Sequence, residues 1–293
     1  MKFSAPELLL DAKAELGEGP AWDAARNCLW WVDIMAGRLH RYHPDTGHDD
    51  FLELGQPLGC SAPCRSGKLV VGMKNGLATL EPGSPQPDWL AQPEPHLPTN
   101  RFNDGKCGPD GRFIAGTMDM GEKEPSGALY SLAPDGQLKV LKREVCISNG
   151  LAWSPDYKTF YHIDTPTRRV VAYDYDFASG EIANPRVALE IPLGMGWPDG
   201  MTSDLQGRLW VALWGGAAIT VWDAQKGDLL EKINFPAKNI TSCAFGGSQQ
   251  DTLYVTSARI GLDAADLAAF PASGGLFRVQ TDVRGMSTFQ FGD

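Results

Sequence analysis

Six stretches of the chain share one hydrophobic and polar pattern, in which a polar turn with a basic or small residue leads into a strand-like apolar run. They are Ala25-Arg26-Asn27-Cys28-Leu29-Trp30-Trp31-Val32, Ser66-Gly67-Lys68-Leu69-Val70-Val71, Asp110-Gly111-Arg112-Phe113-Ile114-Ala115, Asp156-Tyr157-Lys158-Thr159-Phe160-Tyr161, Gln206-Gly207-Arg208-Leu209-Trp210-Val211 and Asp251-Thr252-Leu253-Tyr254-Val255. The first apolar residues, Leu29, Leu69, Phe113, Phe160, Leu209 and Leu253, are separated by 40, 44, 47, 49 and 44 positions. A period near 45 repeated six times marks a repeat architecture. Each unit continues through a second polar turn into another strand pattern, as at Gly37–Tyr42, Arg169–Asp174 and Gly275–Val279. Strand, hairpin, strand, turn and strand in about 45 residues make a four-stranded blade.

The pattern therefore predicts an all-β, six-bladed β-propeller of antiparallel blades, spanning residues 1–293 as one domain. The opening segment with Leu8-Leu9-Leu10 has no hairpin partner of its own. Pairing it with the C-terminal strands completes the last blade and removes the open edge of the ring. The sole helical pattern, Asp263–Phe270, spans one or two turns inside a loop and ends at Pro271. Trp22, Trp30, Trp31, Trp153, Trp210 and Trp222 fall on or beside the repeat strands and are expected between blades, whereas Trp197 and Trp214 stand nearer a pocket.

Composition agrees with many turns between short strands: 33 Gly and 21 Pro in 293 residues, about 18%, exceed the usual share of about 12%. With 26 basic and 36 acidic residues the net charge is −10, so the average surface repels nucleic acid and anionic membranes. No leader pattern and no run of 18 apolar residues occurs, which makes a cytoplasmic protein the expectation. Six scattered cysteines lack a Cys-x-x-Cys pair and are read as reduced core residues. No apolar outer face stands out, so a monomer is expected.

Innermost strands of a propeller all start at one end of the channel, so equivalent positions in different repeats meet there. Ten or eleven residues before each anchor stand Glu18, Gly59, Asn103, Asn149, Asp199 and Ser242. Two carboxylates and an amide from separate strands make an oxygen-rich set suited to one divalent cation, Ca²⁺, Mn²⁺, Mg²⁺, Fe²⁺ or Zn²⁺, with coordination positions left for water and substrate. Asp, Asn and Gly also cap turns, which is the reading for Asp33 and Asp164, each ahead of a hairpin carrying Arg38 or Arg168. His40, His43 and His48 are expected on a solvated outer turn, and no nucleophile elbow, zinc-peptidase helix or phosphate loop is present.

Five motifs in order, Leu16-Gly17-Glu18-Gly19-Pro20-Ala21-Trp22, Arg101-Phe102-Asn103-Asp104-Gly105-Lys106, Ala115-Gly116-Thr117-Met118, Ser148-Asn149-Gly150-Leu151-Ala152-Trp153-Ser154 and Pro198-Asp199-Gly200-Met201, resemble those of the gluconolactonase/regucalcin (senescence marker protein) family. The resemblance runs from about Leu16 to Phe277. It implies a metal-dependent sugar lactonase of the bacterial type, opening an aldono-1,4- or 1,5-lactone. By that resemblance Glu18, Asn149 and Asp199 hold the metal, and Asp199 also serves as the base. Arg101 and Asn103 contact substrate hydroxyls. After Gly-Thr-Met the animal members carry adjacent acidic residues, whereas this chain reads Asp119-Met120-Gly121-Glu122. Asp119 is the candidate acidic sugar contact, with Glu122 second. The rival readings are a calcium- or sugar-binding regulatory propeller without catalysis and a promiscuous metal-dependent esterase.

Overall fold

Alternation of apolar and polar residues lets each repeat bury one set of side chains against the next repeat, and the six repeats close into a ring. The computed structural model describes residues 1–292. Six four-stranded antiparallel sheets are present. Blade I comprises Gly17–Asp23, Cys28–Asp33, Arg38–His43 and His48–Glu53, and blades II to V follow in the same order, innermost strand first. Their innermost strands are Leu58–Pro63, Asn100–Cys107, Ser148–Trp153 and Trp197–Ser203. Blade VI takes Asn239–Gly246, Thr252–Ala258 and Leu276–Gln280 from the chain's end and Glu7–Leu10 from its beginning. Glu7 pairs with Arg278 and Leu8 with Phe277, so the ring is closed as the unpartnered opening segment predicts.

The core lies in wedges between neighbouring blades. Trp22, Leu29, Trp31 and Tyr254 fill the seam between blades VI and I, and Trp210, Phe245, Val255 and Phe277 the seam between V and VI. All six anchor residues are fully buried, and at roughly 25 cal/mol per Å² of apolar surface such seams dominate the stability of the ring. Trp22 stacks on Tyr254 at 5.6 Å across the closure. Outer strands, by contrast, are exposed over much of their length, as in Ile182–Glu190.

The aspartates ahead of the hairpins act as caps. Asp33 accepts the backbone N–H groups of Glu15 and Leu16 at 2.9 and 3.0 Å, and Asp164 does the same for Cys146 and Ile147 at 3.3 and 3.0 Å. Each fixes how the chain enters an innermost strand. The short helix is Ala264–Ala269, capped by Asp263. Among the described residues no helix is long and apolar enough to cross a membrane. The six cysteines are free, and five are buried.

The histidines correct one expectation. His40 is not solvated: its ring stacks on Trp31 at 3.9 Å and its Nδ1 lies 2.7 Å from Asp49 Oδ2. Only His43 and His48 behave as an outer turn, one half-buried and the other exposed.

The C-terminal tail crosses the far mouth of the channel, opposite the strand starts. Met286 N–H donates to Ser203 O, Gly285 N–H to Gln250 O, Phe291 N–H to Pro63 O, Arg65 N–H to Phe291 O and Gly292 N–H to Gly111 O. Phe289 packs edge-on against Trp153 and Tyr157. Behind this plug lies a cavity of about 50 Å³ whose walls include Asp104 and Lys106. Deleting residues 285–293 removes those five bonds, each worth about 1 kcal/mol. The thermal midpoint of the truncated protein, measured by circular dichroism, is expected to fall by roughly 5–10 °C.

Candidate functional site

Each innermost strand carries a β-bulge near its start, and the bulge is what turns the register positions toward the axis. The pairing shifts between Glu18 and Ala21, Leu58 and Cys60, Phe102 and Gly105, Asn149 and Leu151, Pro198 and Met201, and Ile240 and Ser242. Glu18 and Asn149 stand just before their bulges, Gly59, Asn103 and Asp199 inside theirs, and Ser242 just after. Glycine follows for a steric reason. Gly150 has φ +33°, and a Cβ there would lie 2.4 Å from Ile163 Cδ1 and 2.8 Å from Asp199 O. A Cβ on Gly59 would lie 2.3 Å from Phe102 O and 2.6 Å from Asn103 O, so blade II offers no side chain because blade III's backbone fills the space.

The five polar register residues, Glu18, Asn103, Asn149, Asp199 and Ser242, are buried, each at most 7% exposed. A hydrogen-bond relay joins three blades. Arg101 NH1 donates to Asn103 Oδ1 at 2.6 Å, and Asn103 Nδ2 donates to Asn149 Oδ1 at 3.0 Å and Ser148 O at 2.8 Å. Asn149 Nδ2 donates to Thr165 Oγ1 at 2.9 Å, and that hydroxyl donates to Pro198 O at 2.8 Å, beside Asp199. Asn149 is thereby fixed with its amide oxygen toward Asn103, and Asp199's strand is tied to the same frame. Thr165 escapes the register rule because it lies in the turn after a second strand rather than on an innermost one.

Glu18 and Asp199 bring their carboxyl groups within hydrogen-bonding reach of each other. Glu18 Oε2 accepts Gly19 N–H at 2.8 Å. Burial, then the nearby Asp104 charge, pushes the Glu18 carboxyl up to about 8, and burial with the charges of Glu18 and Asp104 pushes Asp199 well above the carboxylate range. Asp104 is raised too, by burial, against the opposing charge of Lys106. Lys106 is half-buried, with Nζ donating to Met201 O at 2.8 Å, and desolvation of its ammonium lowers its pKa. Burial also lowers Arg101, to about 10, against the attraction of Glu18, Glu122 and Asp199. Three buried carboxyls therefore stand against the buried Arg101 and the half-buried Lys106, a set short of positive charge once all three carboxyls ionise.

That deficit and the oxygen chemistry of Glu18, Asp199 and Asn149 suit a hard or borderline dication. Among the described residues no three His, Cys, Asp or Glu side chains gather into a metal-holding group. An ion held between Glu18 and Asp199 would take its third protein oxygen from an amide, for which Asn149 is the candidate.

Asp119 sits at the end of its strand with its carboxylate turned into its own loop. Thr99's hydroxyl and the Lys123 N–H, 3.3 Å away, hold its pKa below the usual range. Glu122, three residues on, is the acid of that loop whose charge acts on Arg101.

The sequence model of the SMP-30/Gluconolactonase/LRE-like region matches residues 16–259, most of the chain and all five motifs. The chain belongs to this family. Among its relatives is the Bacillus subtilis (strain 168) protein named "Putative sugar lactone lactonase YvrE", 36% identical over 281 residues and 96% of each chain. Human regucalcin is 36% identical over 292 residues, covering 97% of both chains. The solved calcium-binding protein regucalcin from Agrobacterium tumefaciens superposes with a TM-score of 0.93 at 29% identity, over 99% of this chain and 97% of that one.

Within the family's Gly-Thr-Met and Ser-Asn-Gly motifs, Gly116 and Ser148 pack together. A Cβ on Gly116 would meet the Ser148 hydroxyl, which lies 2.9 Å from His162 Nε2. His162 is 1% exposed, and burial with the Lys142 charge lowers its pKa to about 3. The folded protein thus keeps this imidazole neutral, while the unfolded chain protonates it near pH 6.5. Its contribution to stability is full above pH 6.5 and lost as the pH falls from there toward 3. His162→Gln is expected to reduce the drop in thermal midpoint between pH 7 and pH 5, measured by scanning calorimetry beside the wild type.

Proposed function

We propose that the protein hydrolyses a sugar lactone, an aldono-1,4- or 1,5-lactone, to the aldonic acid, using one divalent cation held by Glu18, Asn149 and Asp199. The observation that carries this reading is the pair of mutually close, buried carboxyls, Glu18 and Asp199, beside an amide locked by the Arg101–Asn103–Asn149–Thr165 relay. The "sugar lactone lactonase" name of the Bacillus relative supports the same substrate class.

A bound dication at this place supplies Lewis-acid polarisation of an acyl oxygen and a more acidic water. The chain's own groups do the rest. Asp199, which would be ionised when the cation offsets the burial of its carboxyl, accepts a proton from the attacking water as the water oxygen bonds to the lactone carbonyl carbon. It returns that proton to the ring oxygen as the carbon–oxygen bond of the ring breaks, so the product is the open hydroxy acid. Arg101 and Asn103 hold ring hydroxyls and fix which face of the carbonyl meets water. Arg101 spends only NH1 on Asn103 and the Phe102 carbonyl, leaving other guanidinium N–H groups for substrate. Asp119 is the first candidate for an acidic contact with the sugar, and Glu122, whose charge acts on Arg101, the second.

The calcium-binding description of the Agrobacterium relative favours a second reading, a metal-binding propeller without turnover. The two readings separate on proton release from a panel of aldono-1,4- and 1,5-lactones, with chelator-stripped protein and each of Ca²⁺, Zn²⁺, Mn²⁺, Mg²⁺ and Fe²⁺ added in turn. Metal-restored turnover is the expected result. Tight metal binding without turnover supports the binding protein, and full activity after stripping supports a metal-free esterase.

Variants sharpen the assignment. Asp199→Ala is expected to abolish turnover, whereas Arg101→Ala mainly raises KM. Thr165→Val, which removes the hydroxyl that orients Asn149, is expected to weaken dication binding about tenfold in calorimetric titration.

A further inference from the structure

Trp197 differs from the other tryptophans of the inner strands. Trp22, Trp30, Trp31, Trp153 and Trp210 are at most 3% exposed in the seams, whereas Trp197 is 45% exposed. It opens the innermost strand of blade V, two residues ahead of Asp199. Its pairing with Trp214 comes one step before the pair Pro198–Leu213 that borders the bulge. On blade III, Arg101 pairs with Met118 one step before Phe102–Thr117, which borders the bulge there. Trp197 thus holds on blade V the register that Arg101 holds on blade III, with Asn149 of blade IV between them around the ring.

The indole is braced from one side. The Arg168 guanidinium lies 4.5 Å from its ring centre. Arg168 is itself held, with Nε donating to Ile191 O at 3.1 Å and NH2 to Pro192 O and Gly196 O at 2.7 and 2.6 Å. Nearly half of a large aromatic surface is therefore left in water at the site's end of the channel, on a fixed support. A braced aromatic loses little further freedom when a ligand covers it.

A sugar lactone is amphipathic: hydroxyl groups edge the ring, and carbon-bound hydrogens line its faces. We infer that Trp197 forms an apolar subsite that stacks on the C–H face of the substrate's ring, opposite the hydroxyl-binding Arg101. This inference rests on the lactonase reading. It makes Trp197 a determinant of sugar affinity rather than of the bond-breaking step, since nothing in its position reaches the proton transfers assigned to Asp199.

The test compares wild type, Trp197→Ala and Trp197→Phe on the aldonolactone that the wild type turns over best, with thermal midpoints recorded alongside. Trp197→Ala is expected to raise KM about fivefold with kcat within about twofold, and Trp197→Phe to restore most of the affinity. An unchanged KM in Trp197→Ala, with an active wild type, overturns the subsite alone. Equal loss in both variants with a lowered midpoint overturns it as well, in favour of a structural role. A wild type that opens no lactone overturns the lactonase reading and the subsite with it.

Discussion

Two carboxyl groups buried against each other form the constraint around which this propeller is organised. Glu18 and Asp199 come from blades I and V, and burial drives both toward the neutral form. Water would solvate such a pair cheaply, and the protein instead surrounds it with β-strand backbone and a third carboxyl, Asp104. Lys106 and Arg101 offset only part of the negative charge. An arrangement of this kind is costly to the protein alone and becomes favourable when a dication sits among the oxygens.

The fold is the means of holding that arrangement still. Apolar seams between blades fix the ring, aspartate caps such as Asp33 and Asp164 fix where each innermost strand begins, and the bulges then aim one residue per blade at the axis. Because the frame is built from six wedges, a polar residue on one blade can be oriented by its neighbours. Asn149 is set by Asn103 on one side and Thr165 on the other. The far end of the channel is closed separately by the C-terminal tail.

Much of this is legible in the sequence because a propeller converts sequence period into spatial equivalence. The anchors Leu29 to Leu253 are all buried second-strand residues, and counting back from them reaches Glu18, Asn103, Asn149 and Asp199. The count varies between ten and eleven because the turn between the first two strands differs in length, seven positions from Trp22 to Leu29 and from Trp153 to Phe160 but six from Cys107 to Phe113 and from Ser203 to Leu209, which a hydrophobic pattern does not encode. Contacts between blades leave no local trace. The Thr165 bond to Pro198 O and the close approach of Gly59 to Phe102 O each depend on a neighbouring repeat, and only the three-dimensional register reveals them. His40 eluded the reading for a similar reason: a histidine in a polar turn looks solvated until Trp31 and Asp49 cover it.

The central claim is that the Glu18–Asp199 pair is destabilising alone and is relieved by a divalent cation. Thermal unfolding of chelator-stripped wild type and Asp199→Asn, each with and without added Ca²⁺ or Zn²⁺, tests it directly. The account predicts that the stripped variant unfolds at a higher temperature than the stripped wild type, and that the cation raises the midpoint of the wild type only. A stripped variant no more stable than the wild type, together with equal shifts of both proteins by the cation, would contradict it.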